Sequence, residues 1–324
     1  MKFALKSFAA ALCSLAVSTA VFASGYPERT VTVIVPFTPG GSSDITARTI
    51  AQKLSEKLGQ TFLVENKAGA NGAIGATYVA KAKPDGYTLF VGSIGVFAIN
   101  PVLYKDLSYD TRRDFDLLSV AVRTPNALVA NPKFPANTVA ELIDYLKKNP
   151  NKVSFASSGT GSSDHLTAAL FWQKTGTTGI HVPYKGGSAA HTDIIGGSAD
   201  LSFQNLGSIT NHVRGGKMKL LAVTSDKRDP TFPNVPTMAE AGVAGLEVFS
   251  WQAVVAPKGL PKDVFDKLQP AVVAAIKDPA VVKRFNEIGF EVVGNSSAEF
   301  ATFLNEELAR WKGVVDTGGI KQSD

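Results

Sequence analysis

Thr30-Val-Thr-Val-Ile-Val-Pro-Phe37, running through Thr38-Pro-Gly-Gly-Ser-Ser-Asp44 into a helical stretch that ends near Leu58, decides the fold. The first eight residues are apolar and β-branched almost throughout, the pattern of a strand buried on both faces. From Ser43 to Leu58 the apolar residues Ala47, Ile50, Ala51, Leu54 and Leu58 share one helical face. A buried strand that passes through a glycine-rich turn into an amphipathic helix is the unit of a parallel sheet with helical crossovers.

The pattern repeats outward from there. Phe62–Glu65 reads as a strand, Asn71–Lys81 as a helix and Tyr87–Gly92 as a strand, with two more strands near Leu118–Val122 and Ala127–Ala130. Thr138-Val-Ala-Glu141 is a capping box opening a helix to Lys148. Val153–Ala156, Ile180–Pro183, Asp200–Phe203 and Leu220–Thr224 read as strands, Ser163–Lys174 as a helix, and Thr237-Met-Ala-Glu240 as a second capping box. Leu246–Ala256 is one strand-like run. Helices follow over Pro261–Lys277, after the Asp278-Pro279 cap, and after Ser296-x-x-Glu299. The succession predicts an α/β chain of two lobes, each a mainly parallel sheet flanked by helices, with a ligand cleft at the hinge. The chain is expected to cross between lobes near Arg123–Asn126 and to return near Leu246–Ser250. Lobe one then comprises 24–124 plus 248–324, and lobe two 125–247.

With 324 residues, 44% of them hydrophobic, the chain can build two cores and is no disordered protein. Its net charge of +5 is spread out and not gathered into a basic stripe, which argues against a nucleic-acid partner. Lys2 and Lys6, an apolar run from Phe8 to Phe22 and Val21-Phe22-Ala23 form a secretory signal peptide cleaved near Ala23. Cleavage removes Cys13, the one cysteine, so disulfides and cysteine zinc sites are excluded. Cys13 lacks the small residue that precedes a lipidated cysteine. His165, His181, His191 and His212 show no metal-binding spacing. No metal and no cofactor are expected.

Strand-to-helix turns of a parallel sheet lie along one edge, where ligands bind. Two of these turns stand out. Pro39-Gly-Gly-Ser-Ser-Asp44 and Ser157-Ser-Gly-Thr-Gly-Ser-Ser163 each combine glycines, which allow close backbone approach, with hydroxyls at a helix start. Free N–H groups and the helix dipole there favour an anion. Neither turn holds Lys or Arg, and no Walker lysine follows, so the donors are neutral and suit a carboxylate better than a polyphosphate. Gly69-Ala-Asn-Gly-Ala-Ile-Gly75 has the wrong spacing for a dinucleotide fingerprint and is read as a fold feature. A serine hydrolase built on Ser158 or Ser162 would need a base within reach. No Gly-x-Ser-x-Gly elbow exists, and Ser162, Asp164 and His165 are too close in sequence to face one another as a triad. Trp251 is read as core and Tyr184-Lys185-Gly-Gly187 as a turn beside the cleft.

Several motifs carry a resemblance in order along the chain: Val35–Asp44, Val64-Glu-Asn-Lys-Ala-Gly69, Lys83-Pro-Asp-Gly-Tyr-Thr88, His181-Val-Pro-Tyr-Lys-Gly186, Leu221-Ala-Val-Thr-Ser225, Pro233-Asn-Val-Pro-Thr237 with Glu240-Ala-Gly242, and Ser250-Trp251. Together they resemble the Bug family, the substrate-binding receptors of tripartite tricarboxylate transporters. The resemblance implies a periplasmic two-lobe binding protein of the type II kind, not an enzyme, closing like a flytrap on a small carboxylate. It implies that Thr38, Gly40, Gly41, Ser42, Ser43, Asp44 and Ser93 line lobe one. It places Ser157, Ser158, Gly159, Gly161, Ser162 and His165 in lobe two, with Lys185 and Gln204 beside them. Where a relative binds an amino acid, the residue matching Asp44 can hold the ammonium group. Implied partners are the membrane subunits of such a transporter or a sensor kinase, with the receptor itself a monomer.

Overall fold

The computed structural model describes residues 25–318; the signal peptide lies outside the described residues. The chain runs β1 (Val31–Val35), α1 (Ser42–Leu58), β2 (Phe62–Asn66), α2 (Ala73–Ala80), β3 (Thr88–Ser93), α3 (Asn100–Leu103) and β4 (Phe115–Ala130). It continues through α4 (Val139–Lys148), β5 (Ser154–Ser157), α5 (Ser163–Thr175), β6 (Ile180–Pro183), α6 (Gly187–Gly196), β7 (Leu201–Asn205), α7 (Leu206–Arg214) and β8 (Lys219–Val223). It ends with β9 (Phe249–Pro257), α8 (Lys262–Ile276), α9 (Pro279–Glu287), β10 (Glu291–Val292) and α10 (Ser297–Gly318).

Two sheets share one strand. The first has the order β2-β1-β3-β9-β4, with β10 on the far edge of β4. The second has the order β4-β7-β5-β6, with β8 also on β4. β4 pairs with β9 from Phe115 to Pro125 and with β7 from Asn126 onward. By direction, β1 to β4 run one way in the first sheet and β5 to β8 run one way in the second. The reversed strands are β9 and β10 in the first and β4 in the second.

Four points differ from the sequence reading. The strands expected at Leu118–Val122 and Ala127–Ala130 are one strand, which passes through Pro125 without a break because Pro125 stands opposite Phe249, where it owes the ladder no donor. Asn71 sits at φ 45°, in a tight turn ahead of α2, so the helix expected from Asn71 starts later. The Thr237–Glu240 box forms both its hydrogen bonds, but Gly242 at φ 90° ends the turn before a helix develops. A π-helical turn, Gly95–Ile99, follows β3 and carries no periodic signal.

Each sheet has cores on both faces. On the first, Ile50, Leu54, Leu268, Val272 and Phe285 cover one face, and Phe90, Phe97, Phe300 and Trp311 the other. Leu142, Phe171 and Phe203 build one core of the second sheet, and Ile194, Leu206 and Ile209 the other. Trp251 is core, as expected. Its ring stacks on Phe97 at 5.8 Å, and its indole N–H donates to buried Glu307 at 2.8 Å. Trp311 (3.2 Å) and Arg310 (3.2 Å) are the other donors to Glu307. Trp251→Phe keeps the stacking and removes one donor from a buried carboxylate. The expected loss is about 1–3 kcal/mol, read as a lower urea midpoint at constant slope. An unchanged midpoint would show that the other two donors suffice.

Candidate functional site

Four strand-to-helix turns, one from the first lobe and three from the second, meet at a narrow cavity of about 30 Å³, room for a water or two with the lobes as closed as they stand here. The α1 mouth contributes Phe37, Gly41, Ser42 and Ser43, with Ser93 from the end of β3. The α5 mouth contributes Ser158, Ser162, Ser163 and Asp164, and the α6 mouth Gly187. Gln204, Asn205 and Ser208 come from the β7–α7 turn, and Ser250 and Gln252 from β9 form the floor near the hinge.

The helix mouths differ in how they are capped. Gly41, Gly186 and Asn205 precede α1, α6 and α7, and none of the three helices has a side-chain cap. Only α5 is capped, by Ser162 Oγ, which accepts from His165 N–H at 3.3 Å. First-turn N–H groups and the positive ends of the dipoles therefore face the cavity from both lobes. Ser42 Oγ and Gln252 Oε1 are buried there with no hydrogen-bond partner. No Lys, Arg or His is among the lining residues.

The lobes are closed over this space. Thr38 N–H donates to Lys185 O at 3.3 Å, the Thr38 and Ser188 hydroxyls pair at 2.7 Å, and Tyr104 OH donates to Thr160 O at 3.0 Å. Gly186 has φ 148°, and a Cβ there would stand 2.5 Å from Thr38 Oγ1.

Of the residues singled out by sequence, Gly41, Ser42, Ser43, Ser93, Ser158, Ser162 and Gln204 are brought together on the cavity wall. The others stand behind it or at its rim. Thr38 and Lys185 make the closure contacts, Lys185 through its backbone only. Gly40 donates its N–H to Asp44 Oδ2 at 2.9 Å, and the same carboxylate accepts from Arg48 (2.9 Å) and Asn66 (2.9 Å). Asp44 thus holds the turn from outside and is no cavity group. Burial would raise its carboxyl, but these hydrogen bonds outweigh burial and hold it below the usual range. Gly159 and Gly161 pack on Asn71 across the lobe boundary. His165 Nδ1 accepts from Gly161 N–H at 3.2 Å, and its ring stacks on His181 at 3.9 Å. Ser157 Oγ pairs with His181 Nε2 at 2.7 Å, away from the cavity. Neither Ser158 Oγ nor Ser162 Oγ is hydrogen-bonded to a histidine ring; the Ser158 hydroxyl donates to the Asp164 carboxylate, and Ser162 Oγ accepts from the His165 backbone N–H.

Sequence reasoning missed Phe37, Ser163, Asp164, Gly187, Asn205, Ser208, Ser250 and Gln252 as wall residues. The signal was there for several. Gly187, Asn205 and Ser208 sit at two more strand-to-helix turns. Ser250-Trp251-Gln252 alternates polar, apolar, polar inside an apolar run, which places the two polar residues on the face opposite the Trp251 core.

Behind the wall, Gln204 is pinned by His191 Nε2 (2.9 Å) and by its own donation to Ser202 Oγ (2.8 Å). Burial pushes His165 down to about 3, with His181 adding to the effect, and pushes His181 and His191 down to about 4. Unfolding returns these rings to about 6.5. Between about 6.5 and 4 the unfolded chain therefore binds protons the native chain does not, and stability falls as pH falls through that window. Asp164, pushed up to about 6 by burial, works in the opposite sense over the same range, but it is one group against three. The expected outcome is a melting temperature that drops from pH 6.5 to 4 and drops less in His191→Gln. Differential scanning fluorimetry across pH checks it, and a flat wild-type profile would contradict it.

A family model described as tripartite tricarboxylate transporter family receptor matches residues 46–320. The chain is similar to the solved periplasmic binding protein BugD, at 38% identity and TM-score 0.89, over 92% of this chain and all of that one. It is similar to a Rhodopseudomonas palustris protein solved with adipate, at 39% identity and TM-score 0.89, over 91% of this chain and 99% of that one. It is also similar to MatC of Rhodopseudomonas palustris, solved with bound malate, at 33% identity and TM-score 0.85, over 90% of this chain and all of that one.

Proposed function

This chain belongs to the tripartite tricarboxylate transporter receptor family, and we propose that its two lobes close on a small carboxylate in the periplasm and hand it to the membrane subunits of a transporter. The observation that carries this reading is the convergence of uncapped helix mouths from both lobes on one closed cavity that holds no cation. Neutral N–H donors in a dry cleft bind an anion without the strong fixed charge that would bind polyphosphate. The unpartnered Ser42 hydroxyl beside the α1 mouth supplies one further donor. Two relatives are solved with malate and adipate, both small carboxylic acids. The Lys2 and Lys6 leader supports export, and no helix among the described residues is long and apolar enough to cross a membrane.

Lobe boundaries of 24–124 plus 248–324 and of 125–247 fit the change of β4 partners between Pro125 and Asn126. The ligand contacts both halves, so it stabilises the closed form by its greater affinity for it. Gly41, Ser42, Ser43, Ser93, Ser158, Ser162 and Gln204 are the contacts carried over from the sequence, and Asn205 and Gln252 join them.

Titration calorimetry with acetate, succinate, malate, adipate, citrate and aspartate tests the reading; at least one is expected to saturate a single site. Gly186→Ala places a side chain in a backbone region reserved for glycine and against Thr38. It should weaken that binding by roughly tenfold or more, about 1.4 kcal/mol, while the unliganded melting temperature stays within a few degrees. Saturation by a sugar or nucleoside and by none of the acids would sink the proposal.

A further inference from the structure

We propose that Asp164 sets the ligand specificity of this site: the bound acid carries a hydroxyl or ammonium group that donates to the Asp164 carboxylate, with Gln252 Oε1 as a second acceptor. The inference rests on the carboxylate-receptor reading and narrows its substrate class.

Two aspartates occupy matching places, one at each glycine-rich helix mouth, and they have opposite surroundings. Asp44 in α1 has a guanidinium partner, Arg48, and faces away from the cavity. Asp164 in α5 is 2% exposed, lines the cavity and has no cation in contact. Its Oδ2 accepts from the N–H (3.0 Å) and the hydroxyl of Ser158. Its Oδ1 has two long side-chain contacts, Ser163 Oγ at 3.3 Å and Asn205 Nδ2 at 3.4 Å, and the carboxylate also meets its own backbone N–H. These donors are neutral and leave Oδ1 underused. Burial pushes the carboxyl up to about 6, the mark of a charge short of partners.

Gln252 makes the same point on its own. It is fully buried on the cavity floor; its Nε2 donates to Ser250 Oγ at 3.3 Å, and its Oε1 has no donor. A wall that held only donors would suit an unsubstituted acid. This wall adds two hungry acceptors, one anionic, to a set of helix mouths. An unsubstituted dicarboxylate offers nothing to either and is repelled by the first. A hydroxy or amino acid satisfies both halves, carboxylate to the helix mouths and donor to the acceptors.

The test is calorimetry on the mature chain at neutral pH with matched sets: succinate, malate and aspartate; glutarate and glutamate; adipate and its hydroxy and amino derivatives. In at least one set the substituted acid is expected to bind roughly tenfold tighter than its parent. Asp164→Asn should cut that preference to less than about threefold. The size of the cut separates the sources, because an ammonium loses a charge partner and falls furthest, whereas a hydroxyl still finds the amide oxygen. Gln252→Leu should reduce the same preference and serves if Asp164→Asn does not fold; the wild-type preference needs no variant. Parents binding as tightly as substituted acids in every set would overturn the inference and leave the receptor reading intact. So would a preference that survives Asp164→Asn. Binding of no acid at all would remove both readings together.

Discussion

The site depends on β4 being a single strand. Its first part is laddered to β9 and its second to β7 and β8, so one continuous backbone belongs to both sheets. A parallel sheet sends its strand-to-helix turns to one edge. Joining two such sheets through a shared strand sets those edges opposite each other. The cavity then follows without any residue having been chosen for it. What remains to be chosen is whether the facing N–H groups are capped by the protein or left for something else. Three of the four helices that meet there carry no side-chain cap.

The two aspartates show how one local device takes on two meanings. Each sits in the first turn of its helix and accepts a backbone N–H from the turn before it, Asp44 from Gly40 and Asp164 from Ser158. That bond fixes the shape of a glycine-containing turn which would otherwise be loose. On the first lobe the remaining valence of the carboxylate is taken by Arg48 and Asn66, and the group is finished. On the second lobe no cation takes it, and the group faces the cavity. The Gly, Ser and Asp residues alone do not tell the two apart; the difference is Arg48 one turn further along α1, where α5 has Ala168, together with Asn66 from β2.

This also explains how much was legible. The element order, the paired glycine turns and the cores of Trp251 and the amphipathic helices follow from periodicity and caps, which are local. The seven anticipated residues that lie on the wall all sit at strand ends or helix starts. Asp44, His165 and Lys185 stand off the wall: Asp44 is held by Arg48 on its own helix and by Asn66, the His165 ring lies on His181, and Lys185 meets Thr38 through its backbone carbonyl. The continuity of β4 was hidden by Thr124-Pro125, a sequence break that the pairing with Phe249 absorbs. The π-helical turn at Gly95–Ile99 has no sequence rule to find it by.

Closure itself is unfavourable in part, and that is what makes it a signal. At the mouth the lobes meet through the Thr38–Lys185 and Thr38–Ser188 bonds and Tyr104 to Thr160, and elsewhere through Thr210 to Ile288 O, Arg310 to Glu247 O and Gly207 N–H to Thr124. Against them, the closed form buries Ser42 Oγ and Gln252 Oε1 without partners and a carboxylate without a cation. Each such group loses water and gains little, at a cost on the order of 1–3 kcal/mol apiece by mutational measures. On the proposed reading, a guest that satisfies them adds its own binding energy to the closed form. A receptor whose lobes bound each other well would present its closed shape to the membrane whether loaded or not. On the proposed reading, the unsatisfied polar wall is what ties the shape of the protein to its cargo.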